Sequence, residues 1–363
     1  MATSPKKPKV RFVDLASLSI DQTQMNHFSG AEERLEAISE VANDVPLERF
    51  KAVVPMSFRM QAIAALTFGL GVPGFGICGP LFLFFLYCCY GFSAVAAALS
   101  FLVPLAFLPY SFKDENLKLD RYRSLLQYFS FRGVYMDGHI PCVKDKPYIL
   151  VAPPHGVFPY GNLATMVAWP ELMGFSFNGL AASAVFRAPV FRQILGDMGA
   201  IDAGRKSAGA ALAAGRTIGI SSGGVAEIFE TNSASGEEVI VLSNRKGLVK
   251  LALRHGAAIV PCFLYGNNDC LSLWYDPFGI LCAISRFLGF ALILFWGRWG
   301  LPVPFRVPIL GAVGMPIEVP KADGEPKQAD IEKFHKKLLT GMNELFDATK
   351  GYYGWDHKKL VIR

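Results

Sequence analysis

Hydrophobic and polar positions follow three different patterns along this chain. Residues 1–55 are polar, with Lys6, Lys7, Lys9 and Arg11 grouped near the start, and read as a solvated tail. Residues 60–112 contain no charged side chain at all. From about residue 148 onward, short apolar runs alternate with helix-period patterns, the signature of an α/β domain.

Run length and punctuation predict the elements of that third region. Residues 148–152 (Tyr-Ile-Leu-Val-Ala) form an apolar run suited to a buried strand. Pro153 and Pro154 stop it, because neither donates to a sheet ladder. Asn162 is placed to cap a helix that runs to Trp169 and ends at Pro170. A short strand at 198–201 leads to Asp202, Arg205 and an Ala-rich helix. Residues 217–220 are a further strand, and Gly223 and Gly224 turn it into a helix carrying Glu227. A strand at 239–242 precedes Asn244, an N-cap for a helix that starts at Arg245 and ends at Gly256. Residues 258–264 make the next strand. Ile331, Phe334, Leu338, Leu339, Met342, Leu345 and Phe346 recur at helical spacing, so the last long helix packs on the core and carries no chemistry.

The uncharged run is long enough for two membrane passes of about 20 residues each. Gly71, Pro73, Gly74, Gly76, Gly79, Pro80 and Gly91 interrupt it, which suits a hairpin of two helices turning between Gly71 and Gly91. Its flanks are basic on both sides: Arg49, Lys51 and Arg59 before it, and Lys113, Lys118, Arg121, Arg123 and Arg132 after it. Both ends are therefore expected to face the cytosol. The chain then divides into a polar cytosolic segment (1–55), a membrane hairpin (56–112) and a cytosol-facing α/β domain (113–363). A second apolar run at 278–297, broken by Arg286, lies inside the α/β region and is expected to rest in the membrane interface.

Composition sharpens this picture in three respects. The 363 residues are 52% hydrophobic, and the mean hydropathy of +0.32 is high for a soluble protein. The net charge of +6 favours an anionic partner, but Lys and Arg are scattered without a basic helix interleaved with aromatics. Nucleic acid is thereby excluded as the expected partner. Seven cysteines include no Cys-x-x-Cys pair, three of them fall in the most apolar stretch, and there is no Asn-x-Ser/Thr sequon. The cysteines read as reduced fillers, nothing in these features points to an extracellular location, and no metal site is visible.

The candidate chemistry lies where strands end. His155 follows the 148–152 strand directly, with Gly156 allowing close approach to the backbone. Arg245 and Lys246 stand in the first turn of their helix, where the macrodipole disfavours cations. Either they are exposed solubilising charge, or together with Lys250 they bind a phosphate-bearing ligand at the helix N-terminus. Glu227 is either a dipole-stabilised carboxylate or the residue that holds a histidine in its working tautomer. A competing motif shares the same turn. Gly219-Ile220-Ser221-Ser222-Gly223 fits the Gly-x-Ser-x-Gly nucleophile elbow, with His155-Gly156 serving the oxyanion loop and His335 as base.

Several blocks together resemble the type-2 diacylglycerol acyltransferase family. Pro153-Pro154-His155-Gly156 is similar to its His-Pro-His-Gly block, and 223–227 (Gly-Gly-Val-Ala-Glu) to its Gly-Gly-x-x-Glu block. Residues 245–257, Val260-Pro261 and Gly266-Asn267-Asn268-Asp269 resemble its longest signature. Arg306-Val307-Pro308 through Gly314-Met315-Pro316-Ile317 resembles its C-terminal block. There are departures: Pro153 replaces the first His, and Asn267 stands where the family often has Glu, which bears on acceptor binding. Related glycerophosphate acyltransferases place an Asp where this chain has Tyr160.

The resemblance implies a glycerophosphate-acyltransferase-like α/β sheet with flanking helices behind a membrane-embedded hairpin. It implies transfer of an acyl chain from acyl-CoA, a co-substrate and not a resident cofactor, to the hydroxyl of diacylglycerol. Monoacylglycerol and long-chain alcohols are acceptors among relatives. His155 would be the general base and Glu227 its orienting carboxylate. Backbone N–H groups at Gly156, Gly223 and Gly224 would meet the oxyanion, and Arg245, Lys246 and Lys250 the coenzyme phosphates. Pro154, Asn268 and Asp269 would support the motif. The setting implied is the endoplasmic reticulum membrane, cytosolic side, and the lipid droplet surface, with the bilayer as a partner. Homo-oligomerisation is left open.

Overall fold

A computed structural model of the protein describes residues 9–17, 31–70, 75–105, 107–108, 119–136, 146–173, 177–188, 191–229, 236–274, 276, 278–288 and 293–363. The strands in chain order are β1 (Val10–Val13), β2 (Glu40–Val41), β3 (Arg132–Met136), β4 (Tyr148–Val151), β5 (Phe177–Ala181), β6 (Ile201–Asp202), β7 (Thr217–Ile220), β8 (Glu237–Ile240), β9 (Ala258–Tyr265), β10 (Ser272–Leu273), β11 (Phe295–Trp296), β12 (Leu310–Val313) and β13 (Lys359–Ile362). Nine of them form one sheet in the order β2-β1-β3-β12-β9-β4-β7-β5-β6. The central strands β9, β4, β7, β5 and β6 run parallel, whereas β12 joins β9 antiparallel.

Period-two alternation along the central strands splits the core into two layers. In β4, Tyr148 and Leu150 face one layer while Ile149 and Val151 face the other. In β9, Val260, Cys262 and Leu264 share the first layer, and Ile259, Phe263 and Tyr265 the second. The Tyr160–Met173 helix covers the first layer through Leu163, Met166, Val167 and Trp169. The Arg205–Ala213, Gly247–His255 and Gln328–Thr349 helices cover the second. Ile331, Phe334, Leu338, Met342, Leu345 and Phe346 of the last helix are all buried, as their spacing predicts. Each contributes roughly 1.5–3 kcal/mol by leaving water.

Strand β7 lies where the sequence puts it, and the Gly247–His255 helix ends as expected, stopped by Gly256 in the left-handed region at φ +67°. Several boundaries differ: the strand expected at 198–201 is Ile201–Asp202, and the one expected at 239–242 is Glu237–Ile240. Pro170 does not end its helix, which continues to Met173. Asn162 lies inside that helix, and its Nδ2 donates to the Ala152 carbonyl at 2.9 Å instead of capping. Asn244 does not begin a helix with Arg245 in its first turn. The helix starts at Gly247, with Lys246 at the cap position and no side-chain cap bond.

Residues 1–55 are not simply a tail. Val10–Val13 pairs with β3 as β1, and Phe12 and Phe50 are buried in the second layer. Buried Arg132 ties this segment down: its Nε lies 3.4 Å from Asp14, and its guanidinium donates to the Phe50 carbonyl. The Lys6–Lys7 pair lies outside the described residues.

The uncharged run continues the Phe58–Ala64 helix, which begins just before it, and forms a π-helical turn at Ala65–Leu70 and the Phe75–Leu105 helix. The last leaves helical geometry at Gly91 (φ 75°, ψ −172°). Its pieces, 75–90 and 92–105, therefore rise roughly 24 Å and 21 Å. Among the described residues, one helix, Gly79–Leu105, is long and apolar enough to cross a membrane, and the apolar window that marks it is not buried against the domain. The expected turn residues Gly71, Pro73 and Gly74 and the flanking Lys113 and Lys118 lie outside the described residues. Of the 278–297 run, the Ile280–Leu288 helix and the residues around it expose Phe278, Ile280, Ile284 and Phe287.

Candidate active site

His155 stands just past the carboxyl end of β4, and Glu227 lies in the short Val225–Ile228 helix that follows β7. From β4 the chain goes on to β5. From β7 it leaves toward β9 on the opposite flank, so the two strand ends border a crevice. Beneath it lies a cavity of about 540 Å³. Leu150, Leu163, Met166, Trp169, Phe177 and Leu195 supply much of its apolar wall. His155, Ser221, Ser222, Gly223, Gly224 and Arg245 line it from the loops. Among the described residues the buried Ser221 Oγ, Ser222 Oγ and Asn162 Oδ1 have no hydrogen-bond partner, and all three residues border this cavity. The cavity thus has an apolar body and polar groups ready to meet a ligand.

The imidazole is oriented by the backbone. Nδ1 of His155 lies 2.8 Å from the Gly156 carbonyl. A carbonyl only accepts, so Nδ1 carries the proton and Nε2 keeps its lone pair. Burial lowers the His155 pKa below the usual imidazole value, with the Gly156 bond opposing in part. The ring is therefore neutral near pH 7, the state a base requires.

Glu227 acts at one remove. The side chain is fully buried, and its Oε2 accepts from the His155 backbone N–H at 2.6 Å while Oε1 accepts from the Val241 N–H at 3.0 Å. The expectation that it grips the imidazole is corrected: it grips the main chain that carries the imidazole. Burial pushes its pKa up to about 7 against the pull of those two N–H groups. Gly223 is required beneath it, since a Cβ there would come within 2.3 Å of the Glu227 side chain. Gly224 takes φ +54°, ψ −142°, a region that side chains avoid.

The remaining predicted residues divide into two groups. Gly223 and Gly224 line the cavity and Gly156 does not, so the oxyanion assignment narrows to the glycine pair. Arg245 joins the site, donating to the Gly223 carbonyl at 3.3 Å. Lys246 and Lys250 instead face outward, 3.7 Å from Glu332 and 2.5 Å from Glu325, and the expected three-cation phosphate cradle is not assembled. Asn268 and Asp269 do not line the cavity. Asn268 Nδ2 donates to Glu238, which pairs with Lys358 at 3.1 Å, all three side chains being buried. Tyr160 is also buried, its ring against Phe129 and Phe158. Pro153 uses its carbonyl to accept from Leu264 N–H at 2.9 Å, serving the sheet.

The hydrolase arrangement is not assembled either. His335 is buried on the opposite layer, with Nε2 at 3.1 Å from the Leu242 carbonyl. Ser221 Oγ has no hydrogen-bond partner among the described residues. No group of three or more His, Cys, Asp or Glu side chains among the described residues is placed to hold a metal.

Sequence reasoning missed Asn162, Ser222 and the role of Asn267. Asn267 is buried and reaches three parts of the catalytic loop at once. Its Oδ1 accepts from Gly161 N–H at 2.9 Å, and its Nδ2 donates to the Pro154 and His155 carbonyls at 2.9 and 2.7 Å. It does not line the cavity, so the expected bearing on acceptor binding is not direct. The departure from the family's Glu was the one available signal.

The chain is similar to proteins of known activity. The chain is 34% identical over 228 residues to 2-acylglycerol O-acyltransferase 3 of Homo sapiens, covering 57% of this chain and 65% of that relative's length. It is 29% identical over 359 residues to diacylglycerol O-acyltransferase 2 of Danio rerio, covering 90% of this chain and 95% of the relative. The Xenopus tropicalis diacylglycerol O-acyltransferase 2 is 31% identical, with 66% and 70% covered. Among solved structures, the 1-acyl-sn-glycerophosphate acyltransferase of Thermotoga maritima matches with a TM-score of 0.37 and 15% identity, over 80% of this chain and 99% of that one. The diacylglycerol acyltransferase family model matches residues 115–363, and the chain belongs to that family of O-acyltransferases.

Proposed function

We propose that this protein transfers a fatty acyl chain from acyl-CoA to the free hydroxyl of diacylglycerol, yielding triacylglycerol, with His155 as general base. The observation that carries the proposal is His155 itself. Its Nδ1 is committed to the Gly156 carbonyl, and it stands among the polar groups of an otherwise apolar 540 Å³ cavity. That volume and lining suit an alkyl chain.

In this reading Nε2 of His155 takes the proton of the acceptor hydroxyl as its oxygen attacks the thioester carbonyl. Negative charge collects on the carbonyl oxygen, where N–H groups at Gly223 and Gly224 and the Arg245 guanidinium are available to stabilise it. The C–S bond then breaks, and the coenzyme A thiolate recovers the proton from the imidazolium. Attack is direct, with no acyl-enzyme and no resident cofactor. The coenzyme phosphates lie toward Arg245, the one cation of the expected trio that borders the cavity.

Similarity to a 2-acylglycerol acyltransferase favours monoacylglycerol as the second acceptor. Radiolabelled acyl-CoA supplied to microsomes with diacylglycerol, monoacylglycerol or a long-chain alcohol distinguishes the acceptors, and labelled triacylglycerol is the expected product. The Gly79–Leu105 helix supports anchorage in the endoplasmic reticulum membrane with the domain on the cytosolic side. Resistance to alkaline carbonate extraction is expected, and release would refute the anchorage.

A further inference from the structure

Asn267 sits below the catalytic loop, and both hydrogens of its carboxamide are committed there. The residue is 1% exposed. One hydrogen of Nδ2 goes to the Pro154 carbonyl at 2.9 Å and the other to the His155 carbonyl at 2.7 Å. Oδ1 accepts from the backbone N–H of Gly161, in the first turn of the Tyr160–Met173 helix. That N–H is one of the donors a helix start leaves without an internal partner. The loop and the helix after it are thus pinned to one planar group. The contact is close, since a Cβ on Gly156 would come within 2.8 Å of the Asn267 carbonyl oxygen.

The loop is gripped from its other side as well. Glu227 accepts the His155 N–H while Asn267 donates to the His155 C=O, so both polar groups of that residue's backbone are bound by buried side chains. The Gly156 carbonyl, which fixes Nδ1, belongs to the very next peptide. We propose that Asn267 is a positioning residue of acyl transfer, holding the His155 peptide so that the imidazole stays aimed into the cavity. The inference rests on His155 being the base.

The chemistry of the pair of carbonyls makes the requirement specific. Two carbonyl oxygens converge on one point and demand two donors, while the Gly161 N–H demands an acceptor. A carboxylate of the same shape supplies the acceptor and neither donor. Asn267→Asp is therefore close to isosteric and electrostatically wrong.

The experiment measures kcat, acyl-CoA KM, melting midpoint and pH profile for the full chain and for N267D, N267S, H155A and N178D. Asn178 is a buried structural Asn whose Nδ2 donates to the Gly199 carbonyl, outside the catalytic loop. N267D is expected to lose 10-fold or more in kcat with KM changed by less than about 2-fold. Its activity relative to the parent is expected to recover as pH falls, because a protonated carboxyl regains one donor. N267S, with one donor at every pH, is expected to lose less and to show a flat ratio, which also covers the case of N267D failing to fold. N178D is expected to lower the melting midpoint without a kcat change per folded molecule. If N267D and N267S both keep kcat within 2-fold while H155A is inactive, Asn267 positions nothing and the proposal falls alone. If H155A retains parental activity, the base assignment falls, and this inference with it.

Discussion

Replacing Glu227 by Gln tests how the site is held together. The wild-type carboxylate accepts two backbone N–H groups, from His155 at 2.6 Å and Val241 at 3.0 Å. A carboxamide offers one acceptor oxygen, so one of those buried donors must face an NH2 group. An unmet buried donor costs about 1–3 kcal/mol. Expressed in catalytic geometry, that corresponds to a loss of roughly 5- to 150-fold. The pH dependence adds a sharper signature. With its pKa raised to about 7, Glu227 gains its charge as pH rises through neutrality, and activity is expected to rise with it. Stability responds with the opposite sign. A carboxyl whose folded pKa exceeds its ordinary 4.5 contributes stability that is fully present below 4.5 and is lost as pH rises through about 7. The wild type is thus expected to gain activity between about pH 6 and pH 8, while its melting midpoint declines through this group from about pH 4.5 to about pH 7 and then levels off. E227Q is expected to lose both responses, leaving the acid limb of His155 below the usual imidazole value. The assay is acyl transfer at saturating acyl-CoA across that range, paired with thermal melting. E227Q with parental kcat and an unchanged acid limb refutes the reasoning.

The sequence made the strand ends legible and the side-chain contacts across them opaque. Strand β7 is readable because Thr-Ile-Gly-Ile is bounded by glycines, and β4 because two prolines close it. Strand β1 was hidden: Val-Arg-Phe-Val sits beside lysines, and only its pairing with the distant β3 makes it a strand. The ends of Lys246 and Lys250 depended on Glu332 and Glu325, acidic residues far along the chain whose proximity no local spacing reveals. The same limit applies to Glu227. Its place after two glycines made it a candidate and the motif resemblance gave it a role, but whether a carboxylate reaches a ring or a main chain is decided by a few ångströms of packing. Asn267 was visible only as a departure from a motif, because its partners are backbone atoms and backbone atoms leave no mark in a sequence.

Three further results are expected. His155→Ala is expected to lower acyl transfer by roughly 10²-fold or more with the protein still folded, and parental lipid synthesis at equal abundance would remove the base from this site. Ser221→Ala is expected to keep most activity, and a fluorophosphonate probe to leave Ser221 unlabelled, since its Oγ is hydrogen-bonded to no histidine among the described residues. The last concerns acyl-chain length, which the cavity wall between helix and sheet is placed to measure. Gly179 of β5 and Met166 of the Tyr160–Met173 helix both line the cavity, and a Cβ on Gly179 would come within 2.4 Å of the Met166 sulfur. Gly179→Ala must therefore displace the thioether, and kcat/KM is expected to shift toward shorter acyl-CoAs. Met166→Ala removes that side chain at a cost of about 2–5 kcal/mol in stability and is expected to shift preference toward longer ones. Opposite shifts from two sides of one contact are the signature of a wall. Identical chain-length profiles for both variants and the parent would mean that the acyl chain lies elsewhere.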